Sequence, residues 1–260
     1  METGGLKGRR EMLRRKVKAE LTDVHAHILP GVDDGAKDME TTRRMLSMAW
    51  EQGIQTIIAT PHYYPGKTQI SAEELRALIE EVQREAKRIA PELQILGGNE
   101  IYYTDSVVEE LKEGKILTLA DTSYVLTEFY PGVSFNECDR AVRRLVQAGY
   151  RPVIAHGERY ACLRRKGLLE ELTDAGALIQ LNFESLGGSM FDPTLRWVKG
   201  HVKKGNIAFF GTDMHNIGNR SPKVLKKTLK VLRHMVGKEE LEELLWENPM
   251  RLIDGEEVIH

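Results

Sequence analysis

The 260-residue sequence predicts an α/β protein built on a parallel sheet, and it favours a closed barrel over an open sheet. Three observations support this fold class. Short segments rich in Val, Ile and Leu alternate with longer stretches of helical periodicity. Apolar residues make up 41% of the chain and charged residues 29%, as in globular proteins that bury a sizeable core. Polar side chains follow nearly every predicted strand.

Seven strands are predicted from Leu21 onward, one at each short apolar segment. They span residues 21–25, 54–60, 93–97, 123–129, 152–156, 178–182 and 206–211. Helices are predicted between them, at residues 39–52, 72–90, 106–112, 137–148, 167–175 and 195–204. Two further helical stretches, 223–236 and 239–247, are expected to form a closing layer, so that residues 21–260 make one domain.

The expected helix ends agree with this order of elements. Ser71, with Glu74 three residues later, is typical of a capping box at the start of a helix. A glycine follows four of the helical stretches just before the next strand begins, at Gly53, Gly149, Gly176 and Gly205. The repeating unit is therefore a strand followed by a helix.

The choice between an open sheet and a barrel depends on where the polar residues lie. In an open sheet they gather at one switch point, whereas in a barrel nearly every strand can contribute to one central site at its carboxyl end. Here nearly every strand contributes, which favours the barrel.

The first 20 residues differ from the rest of the chain. They carry seven basic and three acidic side chains, a net charge of +4. A tether to acidic lipid or to a partner is one interpretation, but a solvated, partly helical extension is the more common explanation for such a charge run. We favour a basic N-terminal extension at residues 1–20.

Composition excludes several function classes. The net charge of −2 provides no overall basic field, so we expect no nucleic-acid partner. No apolar run approaches the roughly 18 residues of a membrane span, so an integral membrane protein is not expected. Cys138 and Cys162 are the only cysteines, and nothing at the N-terminus reads as a signal peptide. These features predict a cytoplasmic protein.

The first strand runs into a pair of histidines, His25 and His27. Residues two apart on a strand face the same side, so the two imidazoles can converge on one ion. Taken alone, the H-x-H pattern is moderate evidence for a metal site, because it also occurs by chance.

Later strand ends add further metal-competent side chains. They are His62, Glu100, Glu128, His156, Asp213 and His215, together with Asp33 and Asp34 in the loop after the first strand. Five of the eight histidines lie at these strand ends. This set exceeds the roughly four to six donors of one ion, so two or three divalent metals are predicted. A His/carboxylate set without thiolate suits Mn, Fe, Zn or Mg.

Metals at a barrel mouth suit hydrolysis, because they activate water and neutralise charge on the attacked centre. Arg159 and Arg220 are predicted at the same rim, where a guanidinium can bind phosphate oxygens in bidentate fashion. These arginines favour phosphate-ester over amide hydrolysis. The alternative is that each forms an ordinary surface salt bridge.

The chain contains the motifs D-V-H-A-H-I-L-P-G-V-D-D-G, T-P-H, G-N-E-I-Y-Y, E-F, I-A-H-G-E-R-Y and T-D-M-H-N. In these motifs and their spacing it resembles the PHP (polymerase and histidinol phosphatase) superfamily, and more closely the bacterial manganese-dependent tyrosine-protein phosphatases of capsular and exopolysaccharide gene clusters. The resemblance runs from Leu21 to Pro249 and implies a distorted (β/α)7 barrel with three divalent metal ions. Manganese is the metal that the resemblance favours.

The resemblance also implies a ligand set for each ion. The first would be held by His25, His27, Glu100 and Asp213, the second by Glu100, Glu128 and His156, and the third by His62, His215 and Asp34 or Asp33. We favour Asp34, which directly precedes the glycine, with Asp33 as the competitor. Arg159 and Arg220 match the family's phosphate-binding arginines.

The implied reaction is dephosphorylation of tyrosines on a bacterial tyrosine kinase that controls polysaccharide export. Tyr63, Tyr64 and Tyr130 are candidates to flank the substrate ring, although loop tyrosines more often pack as plain surface residues. Two alternatives remain: a phosphatase of a small metabolite such as histidinol phosphate, and a catalytically silent, metal-bound regulator. The sequence leaves oligomerisation open.

Overall fold

A computed structural model describes residues 21–189 and 191–258. The basic N-terminal extension predicted for residues 1–20 lies outside these ranges. The described chain has nine parallel strand segments. They are β1 Leu21–Ala26, β2 Ile54–Ala59, β3 His62–Tyr63, β4 Gln94–Gly97, β5 Glu100–Tyr102, β6 Tyr124–Glu128, β7 Arg151–Ile154, β8 Leu178–Asn182 and β9 Phe209–Gly211.

The seven predicted strands become nine segments because two of them resume, after a break, beyond their predicted ends at residues 60 and 97. The β2–β3 break contains Pro61, which has no N–H to donate to a neighbouring strand. The β4–β5 break contains Gly98, where a Cβ atom would lie 2.7 Å from Cδ2 of Leu119. Asn99 joins the two breaks, since its Nδ2 donates to the carbonyl of Pro61 at 3.1 Å. Past the breaks, His62 of β3 pairs in register with Glu100 of β5.

The strands form a closed ring in the order in which they occur along the chain. The segments β1, β2 and β4 pair in one sheet, and β3, β5, β6, β7, β8 and β9 pair in the other. The ring closes just beyond β9 and β1, where the N–H of His27 donates to the carbonyl of Met214 at 2.9 Å and the N–H of Asp213 donates to that of His25 at 2.8 Å. The predicted barrel-type fold class is confirmed, and all strand ends point to one mouth.

The helices occupy the predicted intervals with small shifts. They are α1 Met39–Gln52, α2 Ala72–Ile89, α3 Val107–Lys112, α4 Phe135–Gln147, α5 Leu168–Asp174, α6 Pro193–Val202, α7 Leu225–Met235, α8 Lys238–Glu242 and α9 Asn248–Ile253. Helix α2 has the expected Ser71–Glu74 capping box. Helix α4 begins before the predicted residue 137 because Glu137 is the third residue of a capping box on Ser134. The stretch predicted as one helix at 239–247 is instead α8 followed by a π-helical turn, Glu243–Glu247.

A hydrophobic floor fills the barrel below its mouth. Tyr124, Leu126 and Glu128 alternate along β6, so they share one face of that strand. The first two belong to a buried cluster that also includes Phe209 of β9 and Leu252 of α9. The C-terminal layer therefore closes the bottom of the barrel, and the polar residues at the strand ends lie above an apolar base.

Candidate metal centre

Nine imidazole and carboxylate side chains meet at the barrel mouth. They come from six of the seven strand positions and the loop after β1: His25, His27, Asp34, His62, Glu100, Glu128, His156, Asp213 and His215. Within them are three groups whose ligand atoms lie within 4.8 Å of one another.

The first group is fully buried and comprises His25, His27 and Glu100. The Nε2 atoms of the two imidazoles are 3.2 Å apart. Oε2 of Glu100 lies 3.2 Å from Nε2 of His25 and 3.1 Å from Nε2 of His27. Oδ1 of Asp213 lies 3.6 Å from both nitrogens. These four side chains are the set that the resemblance implies for the first ion.

The second group lies on β3, β5 and β6 and comprises His62, Glu100 and Glu128. Nδ1 of His62 is 3.1 Å from Oε2 of Glu100 and 3.2 Å from Oε1 of Glu128. His156 approaches from β7, with its Nε2 atom 2.7 Å from Oε1 of Glu100 and 3.8 Å from Oε2 of Glu128. Glu100 therefore lies between the first and second groups.

The third group is nearer to solvent and comprises His27, Asp34, His62 and His215. Oδ1 of Asp34 lies 3.4 Å from Nε2 of His62 and 3.3 Å from Nε2 of His215. The Asp34 side chain is 64% exposed, so this group opens to the mouth. His62 belongs to both the second and the third group, because its two ring nitrogens face different carboxylates. The sequence had assigned it to the third set alone.

The donor atoms of these groups fit cations. Three of them are buried and make no hydrogen bond of suitable geometry, namely Nδ1 of His62, Oε1 of Glu128 and Nε2 of His215, although each lies 3.1–3.3 Å from another member of the set. A buried polar atom without a partner costs about 1–3 kcal/mol, which coordination would offset. Burial and the neighbouring His27 charge lower the pKa of His215 to about 4. The His215 imidazole is thus neutral at pH 7 and keeps a lone pair for an ion.

The two central carboxylates remain charged. Burial tends to raise the pKa of Glu100, but the charge of His25 and the hydrogen bonds of the surrounding imidazoles hold it well below its usual range. The pKa of Asp213 is likewise lowered, since the nearby His25, His27 and Arg159 charges outweigh burial. Both groups can therefore act as anionic ligands across the physiological pH range.

Two of these residues have a strained backbone. His156 has φ of 37° and Asp213 has φ of 51°, in the left-handed region that non-glycine residues seldom adopt. Such strain costs on the order of 1–3 kcal/mol and is typical of functional sites. The turns after β7 and β9 use it to direct these side chains into the mouth.

A second layer of polar side chains orients the first. Oε1 of Gln180, on β8, accepts from the N–H of His156 at 2.8 Å and lies 3.0 Å from Nδ1 of His25. Nδ2 of Asn182 donates to Oδ2 of Asp213 at 2.8 Å. The sequence analysis missed both amides. The available signal was the Q-x-N spacing at the end of β8, the strand that contributes none of the nine imidazole and carboxylate side chains.

The two aspartates of the D-D-G turn occupy different positions. Oδ2 of Asp33 lies 2.7 Å from Nδ1 of His27 and accepts from the N–H of His62 at 3.1 Å. Its other oxygen accepts from the N–H of Gly35 at 2.9 Å. Asp33 thus lies behind His27, whereas Asp34 faces the third group.

Both predicted arginines reach the centre and meet on one carboxylate. Nη2 of Arg159 lies 2.7 Å from Oδ2 of Asp213, and Nη2 of Arg220 lies 2.7 Å from Oδ1 of the same residue. Both guanidinium groups are partly exposed at the mouth. Each has five N–H donors, so donors remain for a ligand.

The three candidate tyrosines differ in position. Tyr63 is buried, and its hydroxyl donates to Oε2 of Glu110 at 2.6 Å, so the expectation that it flanks a substrate ring is wrong. Tyr64 is partly exposed, with its ring centroid 5.4 Å from that of His62 and 5.5 Å from that of Tyr102. Tyr130 is exposed and lines a cavity of about 170 Å³ beside Phe129.

The family model described as "Capsular polysaccharide synthesis, CpsB/CapC" matches residues 21–254. The chain belongs to the CpsB/CapC family. Tyrosine-protein phosphatase CpsB of Streptococcus pneumoniae is 30% identical over 239 residues, which are 90% of this chain and 98% of that protein. Tyrosine-protein phosphatase YwqE of Bacillus subtilis is 35% identical over 247 residues, covering 92% and 93% of the two chains. The predicted membership is confirmed.

Solved structures agree with this assignment to the CpsB/CapC family. A chain from the crystal structures of YwqE and CpsB, described as unique metal-dependent tyrosine phosphatases, superimposes with a TM-score of 0.84 at 32% identity, covering 92% of this chain and 96% of that one. The phosphotriesterase from Mycobacterium tuberculosis shares the fold alone, with a TM-score of 0.56 at 14% identity. Across the described residues, we find no helix with the length and hydrophobicity needed to cross a membrane.

Proposed function

We propose that the protein is a metal-dependent phosphatase that hydrolyses phosphotyrosine on proteins. The observation that supports this best is the buried group of unpartnered donor atoms, on His62, Glu128 and His215, directly beside two arginines that meet on Asp213. Membership in a family whose curated relatives are named tyrosine-protein phosphatases supports the same reaction. We treat residues 21–260 as the catalytic domain.

We assign three divalent ions, with manganese as the first choice. His25, His27, Glu100 and Asp213 would hold the first ion, and Glu100, Glu128 and His156 the second. Asp34, His62 and His215 would hold the third. When bound, such ions stabilise negative charge on the phosphoryl group and lower the pKa of water. Glu100 would contribute one negative charge that the first two ions share.

The two arginines would bind and orient the phosphate. Arg159 and Arg220 approach from opposite oxygens of Asp213, so their free N–H groups flank the mouth from two directions. Fixed guanidinium donors stabilise the charge that develops on equatorial phosphoryl oxygens. The leaving phenolate has a conjugate acid of pKa about 10, so it needs less protonation than an alkoxide would.

A cysteine-based route has little support from the structure. Cys138 and Arg144 have the bare C-x5-R spacing, but both lie within α4, whose backbone N–H groups bond within the helix rather than around a phosphate. Cys138 is buried, and the guanidinium of Arg144 pairs with Asp105. The cysteines are therefore not assigned a catalytic role.

We further propose that the substrate is a bacterial tyrosine kinase that controls capsule or exopolysaccharide synthesis. The family description, capsular polysaccharide synthesis, supports this choice. We place the protein in the cytoplasm, because Cys138 and Cys162 are free thiols, as is typical of a reducing compartment.

Phosphate release from three substrates tests the proposal: p-nitrophenyl phosphate, a phosphotyrosine peptide and histidinol phosphate. The protein is first stripped with chelator and then reloaded with Mn²⁺, Fe²⁺, Zn²⁺ or Mg²⁺. We expect metal-dependent hydrolysis of the first two substrates. A matched phosphoserine peptide should be hydrolysed weakly, because its side chain is shorter by about 4 Å and near-attack geometry tolerates only about an ångström of misplacement. A preference for histidinol phosphate would identify the protein as a metabolite phosphatase. Metal binding without hydrolysis of any substrate would identify it as a regulator.

A further inference from the structure

Helices α6 and α7, with one residue close to each of them, carry a strongly basic surface, which we call the basic face. It consists of Arg196, Lys199, Lys203, Lys223, Lys226, Lys227, Lys230 and Arg233. Lys199 of α6 lines one shallow cavity with Lys230 and Met235 of α7, so both helices contribute to one surface. All eight side chains are exposed or half-exposed, so the face is open to solvent.

The segment that carries the basic face contains few acidic residues. Between Asp192 and Glu239 the sequence holds a single carboxylate, Asp213, which is only 3% exposed and belongs to the metal centre. Among the described residues, none of the eight basic side chains forms an ion pair, whereas the adjacent Lys204 pairs with Glu170 at 2.9 Å. The protein as a whole has a net charge of −2, so this concentration of positive charge is local.

Other helices around the barrel balance their charges. On α2, Arg88 pairs with Glu85, and on α3, Lys112 pairs with Glu109 at 2.9 Å. On α4, Arg143 pairs with Asp139 at 2.9 Å. Unbalanced like charges repel one another and destabilise a compact surface, so a face that retains them is better suited to binding an anionic partner.

The basic face begins beside the phosphate-binding arginine. Lys223 follows Arg220 by three residues, a span of at most about 11 Å along the chain. Nζ of Lys227 lies 3.5 Å from the carbonyl oxygen of Gly187, in the segment that follows β8 at the barrel mouth. The α7 end of the face therefore borders the proposed active site.

We propose that the basic face binds an acidic segment next to the phosphotyrosine of the protein substrate. This inference rests on the proposed function and adds a substrate preference to it. The 11 residues of α7 span about 16 Å, which matches about five residues of extended peptide. Continuity with Arg220 favours an acidic polypeptide over an anionic membrane, because a peptide joined to the phosphotyrosine reaches both at once.

The test compares two phosphotyrosine peptides that differ only in flanking residues, Glu/Asp in one and Gln/Asn in the other. The test variant carries Lys223→Gln, Lys226→Gln and Lys227→Gln. A matched control carries Lys87→Gln, Lys112→Gln and Lys115→Gln, which remove the same charge from exposed positions on α2 and beside or on α3. Hydrolysis of p-nitrophenyl phosphate reports on the catalytic centre separately.

We expect wild-type protein and the control to prefer the acidic peptide in kcat/KM by about tenfold or more at low salt, with the preference fading at about 0.5 M salt. The test variant should lose this preference. Equal kcat/KM for both peptides with wild-type protein, or equal losses in both variants, would overturn the inference. So would lysine-dependent cosedimentation with phosphatidylglycerol vesicles in the absence of a peptide preference. No hydrolysis of any substrate by wild-type protein would instead refute the proposed function.

Discussion

The barrel mouth contains two layers of polar side chains that differ in how fully their hydrogen bonds are used. The inner layer faces the centre and includes buried atoms that make no hydrogen bond, such as Nε2 of His215 and Oε1 of Glu128. In the outer layer, the side-chain oxygen of Gln180 serves two partners and its nitrogen donates to Oδ1 of Asn182 at 3.0 Å. Each oxygen of Asp33 likewise has a partner.

This difference distinguishes the side chains that are expected to bind ions from those that orient the ion-binding side chains. Unpartnered atoms mark where a ligand is expected, whereas saturated groups hold the imidazoles and carboxylates in place. Substitutions in the inner layer should therefore remove ions or chemistry outright. Substitutions in the outer layer should weaken metal binding in a graded way.

The largest effect is expected for Glu100→Gln. The amide removes the negative charge between the first two proposed ions, so metal content and activity should be lost together. Elemental analysis after desalting and phosphotyrosine peptide hydrolysis are the measurements, with circular dichroism to verify folding. Three bound ions and full turnover in this variant would exclude the bridging role.

Arg159→Ala and Arg220→Ala should separate substrate binding from metal binding. We expect metal content to remain and phosphate release to slow by about 10²–10³-fold, the effect of losing a charged transition-state donor. Arg143→Ala, which breaks only an exposed pair with Asp139 on α4, is the matched control. Near-normal rates in Arg159→Ala and Arg220→Ala would show that these arginines form surface salt bridges and do not act on the phosphate.

The paired variants Asp34→Asn and Asp33→Asn compare the two layers within one turn. Asp34→Asn should cost the third ion, because this side chain faces His62 and His215. Asp33→Asn should keep all ions but lower metal affinity by about 10–100-fold, since Asp33 orients His27 and the backbone of His62 and does not face the third group itself. Metal titration of the two proteins measures this difference, and the reverse result would make Asp33 the ligand.

The smallest effect is expected for Gln180→Met, which keeps the side-chain length but removes the shared acceptor. Nδ1 of His25 and the N–H of His156 then lose a partner, which should cost about 1–3 kcal/mol of stability and about tenfold in metal affinity. Gln180→Glu retains an acceptor oxygen and should recover part of both. Thermal unfolding and metal titration are the measurements; no change in Gln180→Met would show that β8 does not orient the centre.

Much of the inner layer could be predicted from the sequence because it follows a simple rule. His25, His62 and Asp213 lie at or shortly after the ends of predicted strands, and parallel strands of a barrel end at one mouth. Their convergence therefore required no knowledge of contacts. The assignment of each residue to one ion remains a prediction.

The outer layer could not be predicted in the same way. Gln180 and Asn182 are ordinary amides in sequence, and their role depends on the orientation of neighbouring side chains. The return of the strand after Gly98 and Asn99 was also missed, because these two residues and Glu100 end the apolar pattern at residue 97. Tyr63 was misplaced since a loop assignment does not reveal that its hydroxyl reaches Glu110.

The interrupted strands have a consequence for protein engineering. A designer who transfers only the histidines and carboxylates to a regular barrel would place His62 and Glu100 on uninterrupted strands. The backbone path at Pro61 and Gly98 would then be lost, although the pairing register is the same before and after the break, with Ala59 opposite Gly97 and His62 opposite Glu100. The graft would have to include Pro61, Gly98 and the bridging Asn99 as one unit. The smallest unit of this centre that could be transferred to another barrel is thus a pair of interrupted strands rather than a set of ligands.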